Sequence, residues 1–141
     1  MPTKYILDAN VLIRFLRGDD AVQSPAAKEL FSQAQQGDCA LVLTDLCVAE
    51  TVWILTSFYR QDRQTVAKVL LQVLGQPGLE CPQQTVLRDA LRRFQTGKAD
   101  FIDCYFAAYG ASTGLAVASF DRDFKQFKDV DWLEPKHTRR T

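Results

Sequence analysis

Short runs of consecutive apolar residues alternate along the chain with longer stretches whose apolar positions recur every three or four residues. Those two patterns separate buried strands from helices with one buried face. Tyr5-Ile6-Leu7 ends at a carboxylate, Asp8, and reads as a first buried strand. A short helix over 11–17 stops at Gly18. Ser24-Pro25 offers an N-cap hydroxyl and a proline at the first helical position, starting a helix over 26–36 that Gly37 closes. Ala40-Leu41-Val42-Leu43 reads as the second buried strand. Asp45 caps a predicted helix over 46–59, and Asp62 caps another over 63–74, which Gly75-Gln76-Pro77-Gly78 terminates. A brief strand over 79–81 follows. The next helix, over 84–94, carries Val86, Leu87, Leu91 and Phe94 at helical spacing before Gly97 interrupts. A helix over 100–111, a strand over 115–119, a helical turn over 123–127 and an edge strand over 130–133 complete the series.

Short apolar strands alternating with helices predict an α/β domain with a mostly parallel central sheet covered on both faces. No repeat, low-complexity segment or linker divides residues 1–141, so one domain is expected. In such sheets ligands lie beyond the carboxyl ends of the strands. Two acids hold that address: Asp8 after the first strand, and Asp121 just after the strand over 115–119.

Composition narrows the class. With 141 residues and 47% hydrophobic content, the chain has material for a core without disulfide or zinc support, which excludes disordered and fibrous classes. Three apolar residues before Asp8 are too few for a secretory leader, so a cytoplasmic protein is expected. The nearly uncharged stretches 46–59 and 104–120 fall short of a membrane span. Cys39, Cys47, Cys81 and Cys104 form no C-x-x-C pair, and the single His137 lies in the basic tail over 136–141. Buried reduced thiols are expected, and zinc is not. Seventeen basic residues balance 17 acids, so the net charge of zero gives no whole-chain attraction to nucleic acid.

The distribution of the acids changes that picture. Glu50 is the only charge between Leu46 and Tyr59, in a stretch apolar enough to be buried, where an ionised carboxylate is costly unless paired or bound to metal. Asp100 and Asp103, three apart near a helix start, repeat the pattern among Phe101, Ile102, Cys104 and Tyr105. Asp121 and Asp123 follow a strand. Each alone has an ordinary explanation as a cap, an ion pair or an acidic turn. Together, four segments each deliver an acid to an apolar setting or a strand end. Two carboxylates about 4 Å apart repel by roughly 4 kcal/mol at an effective dielectric near 20, so a cluster needs cations. Oxygen donors favour a hard divalent ion such as Mg²⁺ or Mn²⁺, and one or two such ions suit phosphodiester hydrolysis. That the acids cluster follows from the predicted fold, not from their spacing.

These residues also form a recognisable set. Tyr5-Ile6-Leu7-Asp8-Ala9-Asn10-Val11-Leu12, Val48-Ala49-Glu50-Thr51, Asp100-Phe101-Ile102-Asp103 with Ala107-Ala108, and Ser119-Phe120-Asp121-Arg122-Asp123-Phe124 resemble the acidic motifs of the PIN-domain family. Their order, spacing and total length resemble the VapC-type ribonuclease toxins of bacterial toxin–antitoxin pairs, over essentially the whole chain. The resemblance implies a three-layer α/β/α domain and a pocket of Asp8, Glu50, Asp103 and Asp121 holding Mg²⁺ or Mn²⁺. Asp123 would support a second ion, with Asp100 as an auxiliary acid. Asn10, Thr44 and Ser119 match polar positions that hold such ligands by hydrogen bonds. The implied reaction is attack of a metal-activated water on RNA, with no covalent intermediate and no histidine base. Cys104, beside Asp103 but without a His partner, is a poor nucleophile. The resemblance further implies a homodimer, an RNA substrate, a cognate VapB-like antitoxin and no membrane association.

RNA contacts would come from Arg14, Arg17, Lys98, Arg122, Lys125 and Lys128, with the tail as a further candidate. Trp53, Phe58 and Tyr59 are either core or a surface for a second copy or the antitoxin. Other readings compete. A PIN-domain nuclease of RNA processing would carry the same acids. A haloacid-dehalogenase-like phosphatase would use Asp8 and Thr44, but needs a second Asp where Asn10 stands and leaves Glu50 unexplained. A non-catalytic binding module would not keep all four acids. Setting aside the six candidate acids leaves 11 acids against 17 bases, so neutrality reads as an acidic pocket inside a basic shell.

Overall fold

The computed structural model describes residues 2–137. Its elements alternate as the apolar pattern predicts: β1 (Thr3–Ile6), α1 (Ala9–Arg17), α2 (Gln23–Gln35), β2 (Cys39–Val42), α3 (Asp45–Trp53), α4 (Arg63–Leu74), β3 (Leu79–Glu80), α5 (Gln84–Thr96), α6 (Phe101–Thr113), β4 (Val117–Ala118) and β5 (Trp132–Leu133). A π-helical turn at Ile54–Phe58 extends α3, and a 3₁₀ turn at Arg122–Gln126 follows β4. The tail positions 138–141, Arg139 and Arg140 included, lie outside the described residues.

Local chemistry sets the boundaries. The Asp8 carboxylate accepts the Asn10 amide at the start of α1, and Gly18 ends the helix in the left-handed region that glycine adopts without strain. Two predicted caps are displaced. Helix α2 begins at Gln23 rather than after Ser24, because Asp20 accepts the amides of Val22 and Gln23 while the Ser24 hydroxyl donates to Arg14 O. Pro25 still falls in the first turn, where its missing N–H costs no bond. At α3 the cap is Thr44, whose Oγ1 accepts the Cys47 amide, and Asp45 becomes the first helical residue.

The predicted helix over 46–59 is not uniform. The Thr56 hydroxyl donates to Val52 O at 2.7 Å, where a side chain competes with the regular ladder, and the next turn widens. Arg60, at φ 56°, ends the turn.

Strands β1, β2 and β3 form a parallel sheet in that order, with Thr3 opposite Cys39 and Leu41 opposite Leu79. The main core lies among this sheet and α1 to α6, around Leu12, Leu41, Val48, Leu70, Leu87 and Leu91. Helix α5 packs against both α4 and α6. All pairings are parallel, as the α/β class predicts, and β4 and β5 pair with each other as a two-stranded sheet beside the three-stranded one. Between α6 and β4 lies a cleft of about 360 Å³ lined by Tyr105, Phe106, Tyr109 and Leu115. All four residues of β1 are exposed, Ile6 to 79%. Arg93 ties the C-terminal unit to α5 by bonding Asp89 on its own helix and Asp129, at 2.9 and 2.5 Å to the latter's two oxygens.

Candidate active site

Apart from Glu50, which lies within α3, the candidate acids sit where an element begins or a strand has just ended. Asp8 is the N-cap of α1, Asp100 the N-cap of α6, Asp103 lies in the first turn of α6, and Asp121 is the N-cap of the 3₁₀ turn. Orphan amides and the helix dipole favour carboxylates at such ends. Asp121 Oδ1 accepts the Asp123 amide at 2.9 Å, and Ser119 Oγ accepts the Asp121 amide at 2.9 Å. Ser119 therefore orients the main chain of the fourth acidic segment directly.

Glu50 departs from expectation. It is exposed on α3, in line with Leu46 and Trp53, which are 81% and 65% exposed. The helix is apolar but buries only part of its circumference, so Glu50 escapes the desolvation that would have demanded a partner. Trp53 and Phe58 are surface residues, and Tyr59 is half-buried beneath the Arg17 guanidinium, 4.0 Å from its ring centre.

The acids fall into two groups. Asp8 and Glu50 both bear on Cys47, whose thiol is pushed up to about 11 mainly by burial, with Asp8 and Glu50 adding to the shift and a hydrogen bond with Thr51 opposing it. Asp103 is half-buried, and its carboxyl is raised by desolvation first and then by the charges of Asp121, Asp100 and Asp123. The two groups do not merge: among the described residues no three His, Cys, Asp or Glu side chains converge closely enough to hold a metal ion. Asp8 follows β1 and Asp121 follows β4, two strands that belong to separate sheets.

Charge pairing distinguishes these acids from several others. Among the described residues, ion pairs engage Asp19, Glu80, Asp89, Asp129 and Glu134, but none engages Asp8, Glu50, Asp100, Asp103, Asp121 or Asp123. An all-oxygen donor set, unneutralised and with one carboxyl already driven toward its proton, fits a hard divalent cation in charge and donor type. Beside Asp100 and Asp103 runs a groove of about 340 Å³ whose walls include Trp53, Thr56, Ser57 and Phe101.

The polar and basic candidates are spread more widely. Thr44 is committed to its cap, and Asn10 meets Asp8 through its main-chain amide. Arg14 bonds Gln23 and lies 3.8 Å from Asp19, and Arg17 pairs with Asp19 at 3.2 Å. Arg122 faces Glu134 at 3.7 Å, and Lys125 sits 5.6 Å from the centre of the Trp132 ring. Lys98 and Lys128 are exposed with no ion pair among the described residues. No local pattern signals the hydrogen bond from Tyr105 Oη to Asp45, which joins α6 to α3. Nor did the sequence single out Arg63. An arginine at the first position of a helix, where the dipole disfavours a cation, was the available signal.

Comparison with known proteins adds two findings. A family model described as "PIN domain" matches residues 5–130. A protein named "VapC ribonuclease" from Aquifex aeolicus (strain VF5) is 25% identical over 132 residues, covering 92% of this chain and 97% of that protein.

Proposed function

The chain belongs to the PIN-domain family, and we propose from that premise that it is a Mg²⁺- or Mn²⁺-dependent endoribonuclease, the toxin of a VapBC-type pair. The observation that carries the reading is the set of six carboxylates at the ends of β1 and β4 and on α3 and α6, none in an ion pair among the described residues. The likeness to a VapC ribonuclease over nearly the whole of both chains supports the choice of RNA as substrate and of an antitoxin as partner. No helix among the described residues is long and apolar enough to cross a membrane.

Asp8, Glu50, Asp103 and Asp121 would hold the ion, with Asp123 supporting a second and Asp100 adding charge. When bound, the ion supplies activation of water and neutralisation of charge at the phosphodiester. A bound cation would offset the burial and the neighbouring negative charges that raise the Asp103 carboxyl. Ser119 fixes the backbone entering Asp121. Phosphate contacts fall to Lys98, Lys128, Arg122 and Lys125, which lie on the segments leading to α6 and following β4.

The test is RNA cleavage by the purified chain with and without Mg²⁺. Asp8→Asn and Asp121→Asn should each abolish cleavage while circular dichroism and melting stay near wild type, because asparagine caps a helix about as well as aspartate. Asp8→Ala should lose the cap as well, at about 1 kcal/mol. Metal-dependent cleavage that survives in the asparagine variants would overturn the assignment.

A further inference from the structure

Arg63 opens α4 and reaches across to a different part of the fold. Its Nε donates to Phe94 O at 2.7 Å and its Nη2 to Ala99 O at 2.5 Å. Phe94 O belongs to the last turn of α5, one of the carbonyls a helix cannot satisfy internally. Ala99 is buried and immediately precedes Asp100, the N-cap of α6. Its carbonyl also lies 3.7 Å from Cys104 Sγ, a weak donor from within α6. The guanidinium in turn lies 4.1 Å from the centre of the Phe94 ring, and Phe94 meets Phe101, the first residue of α6, edge to face at 5.9 Å.

Arg63 therefore grips both sides of the α5–α6 connection, by two charge-assisted bonds and by its contact with the Phe94 ring, which in turn meets Phe101 edge to face. Two donors in the fixed plane of one guanidinium set the relative position of Phe94 O and Ala99 O, which a flexible ammonium cannot do. The first turn of α6 follows directly, and it carries Asp100 and Asp103. A cation at the first position of α4 opposes that helix's dipole, so the residue is poorly placed for its own helix and well placed for its neighbours.

We infer that Arg63 is a positioning residue for the metal site: it touches neither metal nor RNA, and it fixes the start of α6 so that the Asp103 carboxylate is presented to the cation. The inference rests on the metal-nuclease reading above. Removing the guanidinium should leave the other acids in place but loosen the turn that holds Asp103. Partners that orient a metal ligand are typically worth about 10- to 100-fold in metal affinity or activity.

The experiment compares wild type, Arg63→Met, Arg63→Lys and Asp103→Asn as purified full chains. It reads Mn²⁺ binding by electron paramagnetic resonance, amide exchange across residues 99–104, melting temperature, and kcat and KM for RNA. Arg63→Met is expected to weaken Mn²⁺ binding about 10- to 100-fold, speed exchange in that segment and lower kcat with KM little changed. Arg63→Lys should recover only part of the loss. Should Arg63→Met fail to fold, Arg63→Ala refolded with millimolar ethylguanidinium takes its place, and recovery of Mn²⁺ affinity on adding the guanidinium is the expected result. Folded Arg63 variants that bind Mn²⁺ and exchange as wild type does, while Asp103→Asn loses binding and cleavage, would overturn the positioning role alone. Retention of Mn²⁺ binding and cleavage by Asp103→Asn would instead overturn the metal-site reading, and the role of Arg63 with it.

Discussion

Asp103 serves the fold and the proposed chemistry in opposite directions. Partial burial and the charges of Asp121, Asp100 and Asp123 raise its carboxyl above the ordinary aspartate range. An acid whose pKa is higher folded than unfolded opposes folding wherever it is ionised in both states. That cost is full at neutral pH and disappears as pH falls through the folded pKa toward the unfolded one. Asp103→Asn should therefore melt higher than wild type at pH 7, with the advantage closing as the pH is lowered through the carboxylate range. Saturating Mg²⁺ should reverse the order, since only wild type gains from binding. Melting curves across pH, with and without the ion, check both signs. At this scale the residue types of the acids were legible in the sequence, but their environments were not. Glu50 looked buried because its neighbours in sequence are apolar, and burial depends on which side of α3 faces the core.

The elements carry most of what the sequence predicted. Alternating short apolar runs and helical repeats gave every strand and helix, because strand runs and helix periods depend on local order. Caps were less legible: Asp20, Thr44 and Ser24 are all capping types, but Asp20 and Thr44 bond the turn that follows while the Ser24 hydroxyl donates back to Arg14 O in α1. Gly78 shows how one position can control the joining of elements. It adopts φ 84°, which L side chains rarely do, and a Cβ there would lie 2.2 Å from Ala34 O in α2. Its carbonyl accepts the Leu41 amide of β2. Gly78→Ala must distort the turn that brings β3 to β2, and a loss of about 2 kcal/mol or more is expected. Urea unfolding with an unchanged slope would measure it.

On the scale of the whole molecule, charge is organised in two parts. Arg14, Arg17 and Arg93 are already paired with acids, while Lys98 and Lys128 remain exposed and unpaired among the described residues. If Lys98 meets an RNA phosphate, Lys98→Ala should raise KM, leave kcat and the melting temperature near wild type, and reduce the salt dependence of binding by a slope of about 0.7. RNA binding measured over a series of KCl concentrations checks this. A slope equal to wild type would assign Lys98 to solvent.

The sequence by itself determined the α/β class, the order of elements, the family, and the acids that close its motifs, since each is written in local periodicity or in residue identity. Only the tertiary structure decided which faces are buried, which bases are already engaged, and that β4 and β5 stand as a sheet apart from β1. Strand pairing between distant segments, and an arginine's grip on two carbonyls 31 and 36 residues away, are set by three-dimensional packing that no local pattern records.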